Sequence, residues 1–89
     1  MNQTRTLPLQ IHLVEREVET VADVTITLES GIELRGQGVA HRHPRDSDVP
    51  EIGDELAAAR ALSALSHRLV EVAAETIGQI EHRKVTLTG

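Results

Sequence analysis

The sequence predicts a two-layer α+β domain in which a three-stranded antiparallel β-meander packs under one long C-terminal helix, in the order β-β-β-α. Two observations predict this fold. Apolar residues alternate with polar ones along three stretches of the first 40 residues, which is the period of a half-buried strand. From residue 48 onward the apolar residues recur every three or four positions, which is the period of an amphipathic helix.

The register of the three predicted strands follows from the parity of their apolar positions. These positions are odd in the first strand and even in the second and third. Because paired side chains share a face, Leu13 should pair with Ala22 across a four-residue loop, and Leu28 with Ile32 across a three-residue loop. Gly31 occupies the left-handed position of the shorter loop. The meander then presents one apolar face.

A long helix is predicted to begin at Asp48, an N-cap residue, with Glu51 three positions later as in a capping box. Its predicted packing stripe consists of Ile52, Leu56, Ala59, Leu62, Leu65, Leu69, Val72 and Ala73. Ile77 and Ile80 continue the period to about residue 81, after a predicted kink near residues 75–76 or as a short extra helix near residues 75–82, and Gly78 weakens this last turn. Residues 85–88 are predicted to form a short edge strand or a tail.

Composition suggests how such a small chain is stabilised. The chain has 89 residues, predicted to form a single domain over residues 7–89 after a flexible N-terminus at 1–6. It has no Phe, Trp or Tyr, so its core must consist of Leu, Ile, Val and Ala, which bury less area than aromatic rings. Gly36 and Gly38 are predicted to let the helix lie close to the third strand. Since a domain this small buries little surface by itself, we expect a homodimer.

Charge and cysteine content exclude several classes of function. The absence of cysteine excludes disulfides and thiolate metal sites. The formal net charge of -5 argues against non-specific binding to nucleic acid or to anionic membranes. No apolar run resembles a signal peptide or reaches the length of a membrane span. The sequence therefore predicts a cytoplasmic protein with no membrane partner.

One stretch carries a resemblance to a known family. It comprises residues 38–40, Pro44, residues 49–56, residues 59–63 and Leu65. These residues resemble a small actinobacterial family described only as a domain of unknown function with a fold like that of the double-stranded RNA-binding domain. The resemblance implies β-β-β-α order, a cytoplasmic homodimer and an association with stress or dormancy responses, and the fold is similar to that of ribosome hibernation factors. The family has no established catalytic residues, so none is carried over.

Nucleic-acid binding is the function that this fold suggests. Double-stranded RNA-binding domains present basic residues near the start of their last helix, but here that end carries Glu51, Asp54 and Glu55, which repel phosphate. The open face of the sheet has no aromatic residue on which a base could stack. A basic group remains around the end of the third strand. The predicted partner-contact residues are Arg35, His41, Arg42, His43 and Arg45.

Metal binding and catalysis are both disfavoured. His41 and His43 are two positions apart, a spacing that can hold zinc or copper, but they also fit two solvated loop histidines, and the resembling family does not expect histidine there. Ser63 and Ser66 lie near His67, but neighbours on one helix do not make a triad with an oxyanion hole. We therefore predict no enzyme, no metal, no cofactor and no small-molecule substrate.

The sequence leaves two hypotheses for function. The first is a ribosome-associated or structured-RNA-associated regulatory factor acting in stress or dormancy. The alternative is a protein–protein interaction or dimerisation module with no nucleic-acid role.

Overall fold

The computed structural model describes residues 2–41 and 50–88, with side chains described for residues 2–41 and 51–82. Strands β1 (Leu9–Glu15), β2 (Glu19–Thr27) and β3 (Glu33–His41) form an antiparallel sheet in the order β1-β2-β3. Helix α1 (Pro50–Thr88) follows the sheet. The predicted α+β fold is therefore confirmed, whereas the flexibility of residues 1–6 stays a prediction.

Both predicted registers are confirmed. Leu13 pairs with Ala22 between β1 and β2. At the turn between β2 and β3, the Leu28 amide donates a hydrogen bond to the Ile32 carbonyl over 2.8 Å. Gly31 has a φ of 93°, in the left-handed region where a side chain would be strained and glycine is not.

The core lies between α1 and the two strands β2 and β3. Its buried apolar residues, among those that the structure describes, are Ala22, Val24, Ile26, Leu34, Ala40, Ala57, Ala61 and Leu65. Leu28, Leu69 and Val72 pack against this core from its edge. Four of these eight core residues are alanines, so the close approach of the two layers contributes to their packing as much as the volume of the side chains does.

The helix approaches β3 closely because β3 has glycine at the two positions beneath it. A Cβ added to Gly36 would lie 2.6 Å from the Leu65 backbone nitrogen, and one added to Gly38 would overlap the Ala57 carbonyl oxygen. Both obstacles are backbone atoms of α1, which cannot rotate away as a side chain could. The predicted role of these two glycines is confirmed.

The predicted packing stripe of α1 is partly wrong. Five of its eight residues are exposed: Ile52, Leu56, Ala59, Leu62 and Ala73. The other three, Leu65, Leu69 and Val72, do pack on the sheet, together with Ala57 and Ala61, which the prediction did not include. The helix backbone closest to the two glycines includes that of Ala57, Ala61 and Leu65, so the helix is rotated to place these residues against the sheet. The Arg60 guanidinium completes this contact by donating a hydrogen bond to the Val39 carbonyl over 2.7 Å.

Helix α1 runs without interruption to Thr88, so two predictions about its end are wrong. These are the kink or short extra helix near residues 75–82 and the strand or tail at residues 85–88. One glycine in a helix interior costs about 1 kcal/mol, and no proline follows Pro50 to break the hydrogen-bond ladder. The predicted N-cap, Asp48, lies outside the described residues.

Candidate interaction surface

The apolar face of β1 is uncovered. Leu9, Ile11 and Leu13 pair with core residues of β2 and share their face of the sheet, yet they are 44%, 42% and 40% exposed. Leu7, just before the strand, is exposed as well. The prediction of a half-buried first strand is therefore wrong, since every residue of β1 is exposed. We call Leu7, Leu9, Ile11 and Leu13 the β1 apolar row.

The β1 apolar row is exposed because one helix is too narrow to cover three strands. Strands lie about 4.8 Å apart, so three of them span about 14 Å, whereas a helix is about 10 Å across. The glycines at 36 and 38 place α1 over β3 and β2. β1 is consequently left beside the helix, and its apolar row is uncovered.

The opposite face of the sheet is largely polar, as its sequence pattern predicts, apart from the paired residues Val14, Val21 and Val39. Its residues include Gln10, His12, Asp23, Thr25, Thr27, Glu33, Arg35 and Gln37. The Gln37 amide donates a hydrogen bond to the Asp23 carboxylate over 3.1 Å, and His12 lies opposite Asp23 in register. Because positive and negative groups are mixed here, the described part of this face has no continuous basic surface.

The predicted partner-contact residues are not gathered into one site within the described ranges. Arg35 and His41 both lie on β3 but six residues apart, which corresponds to about 20 Å along a strand. His41 is at the Glu19 end of the sheet, with 3.7 Å between its Nδ1 and one Glu19 carboxylate oxygen, while Arg16 contacts the other oxygen at 3.4 Å. Partner contact by this group stays a prediction, because three of its members lie outside the described residues: Arg42, His43 and Arg45.

The beginning of α1 is acidic. Glu51 and Glu55 are exposed and Asp54 is half-buried. Carboxylates near the positive end of the helix dipole stabilise the helix, but they also repel phosphate. This end of α1 therefore does not offer the basic surface with which a double-stranded RNA-binding domain contacts its ligand.

The polar residues in the middle of α1 make local contacts. The Ser66 hydroxyl donates to the Ser63 carbonyl over 2.9 Å, and His67 Nδ1 lies 2.8 Å from the same oxygen. A ring nitrogen held at its own helix backbone is not placed to activate a serine. In the two described ranges, no three His, Asp or Glu residues are grouped as a metal site would require. The paired-histidine hypothesis depends on His43, which lies outside them.

Within residues 2–41 and 50–88, no helix combines the length and the apolar character needed to cross a bilayer.

The sequence pattern does not identify the β1 apolar row as an exposed surface, because the alternation of apolar and polar residues by itself predicts a buried apolar face. The signal that could identify it is the mismatch between three amphipathic strands and one helix. Two glycines on the third strand add to this signal, since they indicate which side of the sheet the helix favours.

Known proteins resemble this chain over most of its length. A family model described as Rv2632c-like matches residues 5–86. The uncharacterised protein Rv2632c of Mycobacterium tuberculosis is 34% identical over 82 residues, which make up 92% of this chain and 87% of the relative. The crystal structure of Rv2632c superposes with a TM-score of 0.83 at 32% identity, covering 91% of this chain and 95% of that chain.

A second relative matches a shorter stretch. The uncharacterised protein Mb1767 of Mycobacterium bovis is 47% identical over 55 residues, which make up 62% of this chain and 58% of the relative. The match thus spans less than two thirds of that relative's own length. These proteins are uncharacterised, so their similarity supports the fold and assigns no activity.

Proposed function

We propose that this chain, which belongs to the Rv2632c-like family, functions as a non-enzymatic homodimer whose dimer surface includes the β1 apolar row. The observation that carries this proposal is the exposure of Leu9, Ile11 and Leu13 on the same face as the core. Contiguous exposed apolar side chains on a small protein mark an interaction surface. The proposed partner is a second copy of the chain, because a dimer would add buried apolar surface to the small amount that one copy buries by itself.

The energetics favour a dimer that uses more than the row alone. Full burial of an aliphatic side chain contributes about 1.5–3 kcal/mol, so burying the exposed 40–44% of each row residue contributes about 1 kcal/mol. The two rows of a dimer then contribute roughly 8 kcal/mol. Association costs about 4–15 kcal/mol in lost freedom, so further apolar contacts must join the interface.

The dimer is tested by Ile11→Lys. We expect wild-type protein to elute with twice the 9.7 kDa chain mass and the variant with that of one chain, because a lysine solvated in the monomer would be buried in the dimer. The measurement is size-exclusion chromatography with light scattering over a range of concentrations. The matched control is His12→Lys, which places the same charge on the adjacent residue of β1, facing the polar side of the sheet.

Two outcomes would count against this dimer. One is a wild-type chain that remains monomeric at high micromolar concentration. The other is a dimer that tolerates Ile11→Lys as well as it tolerates His12→Lys. Circular dichroism of each variant checks that the monomer still folds.

A ribosome-associated or RNA-associated regulatory role, in a stress or dormancy response, is the second candidate function. The observation that favours it is the exposed Arg35 on the polar face of the sheet, which dimerisation through the β1 apolar row leaves free. A dimer would present two such faces to one large partner. The acidic beginning of α1 disfavours duplex RNA as the ligand, so the proposed partner is the ribosome. Both roles place the protein in the cytoplasm.

Co-sedimentation with ribosomes tests this second role. We expect co-sedimentation at low salt that weakens at moderate salt, because contacts with phosphate release counterions. Arg35→Ala should weaken it further. The control is Glu33→Gln, which removes a charge of the opposite sign two residues away on the same strand. Absence of co-sedimentation at both salt concentrations would favour a dimer with no nucleic-acid role.

A further inference from the structure

The C-terminal part of α1 extends beyond the sheet. At about 1.5 Å per residue, its 39 residues make a helix about 58 Å long, whereas the nine residues of β3 span about 30 Å. Val72 packs on the edge of the core, but residues 73–82 are all exposed. The molecule consequently measures 65 Å in its longest dimension and 29 Å in the next. We call residues 73–88 the helix overhang.

The helix overhang continues an apolar stripe that does not face the sheet. Val70, Ala73, Ile77 and Ile80 are spaced by three, four and three residues, as in helices that pack against a partner helix. Val70 is 68% and Ile77 is 57% exposed. Successive residues turn by about 100°, which places this stripe about a third of a turn from the residues that pack on the sheet. Because residues 73–82 are exposed, the overhang offers this apolar stripe to a partner.

We infer that the helix overhang of each copy lies along the β1 apolar row of the other copy. This inference rests on the homodimer proposed above and specifies how it is built. The two surfaces match in length. At about 1.5 Å per residue the overhang is about 24 Å long, and the row from Leu7 to Leu13 spans about 23 Å of extended chain.

The reciprocal arrangement also accounts for why assembly stops at two copies. Each copy donates one overhang and accepts one, so both uncovered surfaces are used and the contact closes around a two-fold axis. No residue of the row or the stripe is charged, as is typical of interface cores.

The exchange supplies the contacts that the row lacks by itself. A second helix over β1 would complete the layer that α1 leaves unfinished, because two adjacent helices are wide enough to cover three strands. The exposed side of α1 would then lie beside the incoming helix, whose stripe would face the β1 apolar row.

A charge placed on the overhang tests the exchange in the full-length chain. Ile77→Lys should raise the dimer dissociation constant by about 10- to 100-fold, because it replaces a buried aliphatic side chain in the stripe. The matched control is Glu75→Lys, two residues away and therefore on the opposite side of the helix. We expect this control to retain the wild-type dissociation constant. Sedimentation equilibrium measures all three proteins.

Cross-linking tests which surfaces meet. The chain has no cysteine, so Ile11→Cys and Ile77→Cys each introduce a single thiol. When the two variants are mixed and treated with a short bis-maleimide, a covalent product of twice the 9.7 kDa chain mass should form. Mixing His12→Cys with Ile77→Cys should form much less, since residue 12 faces the other side of the sheet.

The outcomes separate the exchange from the dimer itself. A wild-type chain that stays monomeric overturns both proposals. If Ile11→Lys breaks the dimer while Ile77→Lys leaves it intact, and residues 11 and 77 do not cross-link, the dimer stands and the exchange is overturned. Loss of the dimer in Ile77→Lys, together with the residue 11–77 cross-link, supports the exchange.

Discussion

Gly38→Ala is expected to destabilise the fold by about 3 kcal/mol, at the upper end of what overpacking a core usually costs. The added Cβ would meet the Ala57 carbonyl oxygen and the Ala61 backbone nitrogen. Both atoms belong to the rigid backbone of α1, so the helix must lift away from β3 and loosen the whole core. Urea unfolding followed by far-ultraviolet circular dichroism, at one fixed protein concentration, measures the free energy of unfolding.

The matched control for this prediction is Gly78→Ala. A Cβ added at Gly78 would have no heavy atom within 4 Å. Alanine there should therefore raise the free energy of unfolding by up to about 1 kcal/mol, the difference in helix propensity. The same substitution is thus expected to have opposite signs at the two sites. A Gly38→Ala variant as stable as the wild type would contradict the close approach of helix and strand.

The strands, their register and the existence of the helix could be predicted because each depends on local rules. Side-chain parity determines which residues share a face, and that alone pairs Leu13 with Ala22. The turn follows from the need for a positive φ, which Gly31 provides. Helix period and acidic residues near its start predict α1 in the same way.

The rotation of α1 and the strands that it covers could not be predicted from periodicity. Leu56 and Leu62 fit the helical period as well as Leu65 does, yet Leu65 alone is buried. Gly36 and Gly38 decide which of these leucines is buried. The backbone of α1 approaches β3 closely at these two glycines, and this contact determines which side of the helix faces the sheet. That is a relation between two distant segments, and a local pattern does not contain it.

The exposure of the β1 apolar row could not be predicted either, for a related reason. Alternation in β1 indicates that one face avoids water, but it does not say which chain covers that face. The sequence predicts arginines and histidines as partner contacts, whereas the exposed apolar surface consists of residues that the alternating pattern assigns to the core. An apolar face that is buried within one chain and an apolar face that is buried between two chains show the same alternating sequence pattern.

Leu65→Ala and Leu56→Ala test the rotation of α1 with one chemical change at two positions. Leu65 is 2% exposed and belongs to the core, so its truncation should cost about 3 kcal/mol through lost transfer energy and the cavity that remains. Leu56 is 45% exposed, and its truncation should cost less than about 1 kcal/mol. Urea unfolding again measures both variants.

The difference between these two leucines is more informative than either value, because the change in helix propensity is the same at both positions and cancels. Nine residues separate them, which places them on opposite sides of α1. Equal losses would mean that α1 presents Leu56 to the sheet as well, in which case alanine could not lie above Gly36 and Gly38. A large loss at Leu65 alone, together with a large loss in Gly38→Ala, requires the observed rotation, and that rotation is what leaves β1 uncovered.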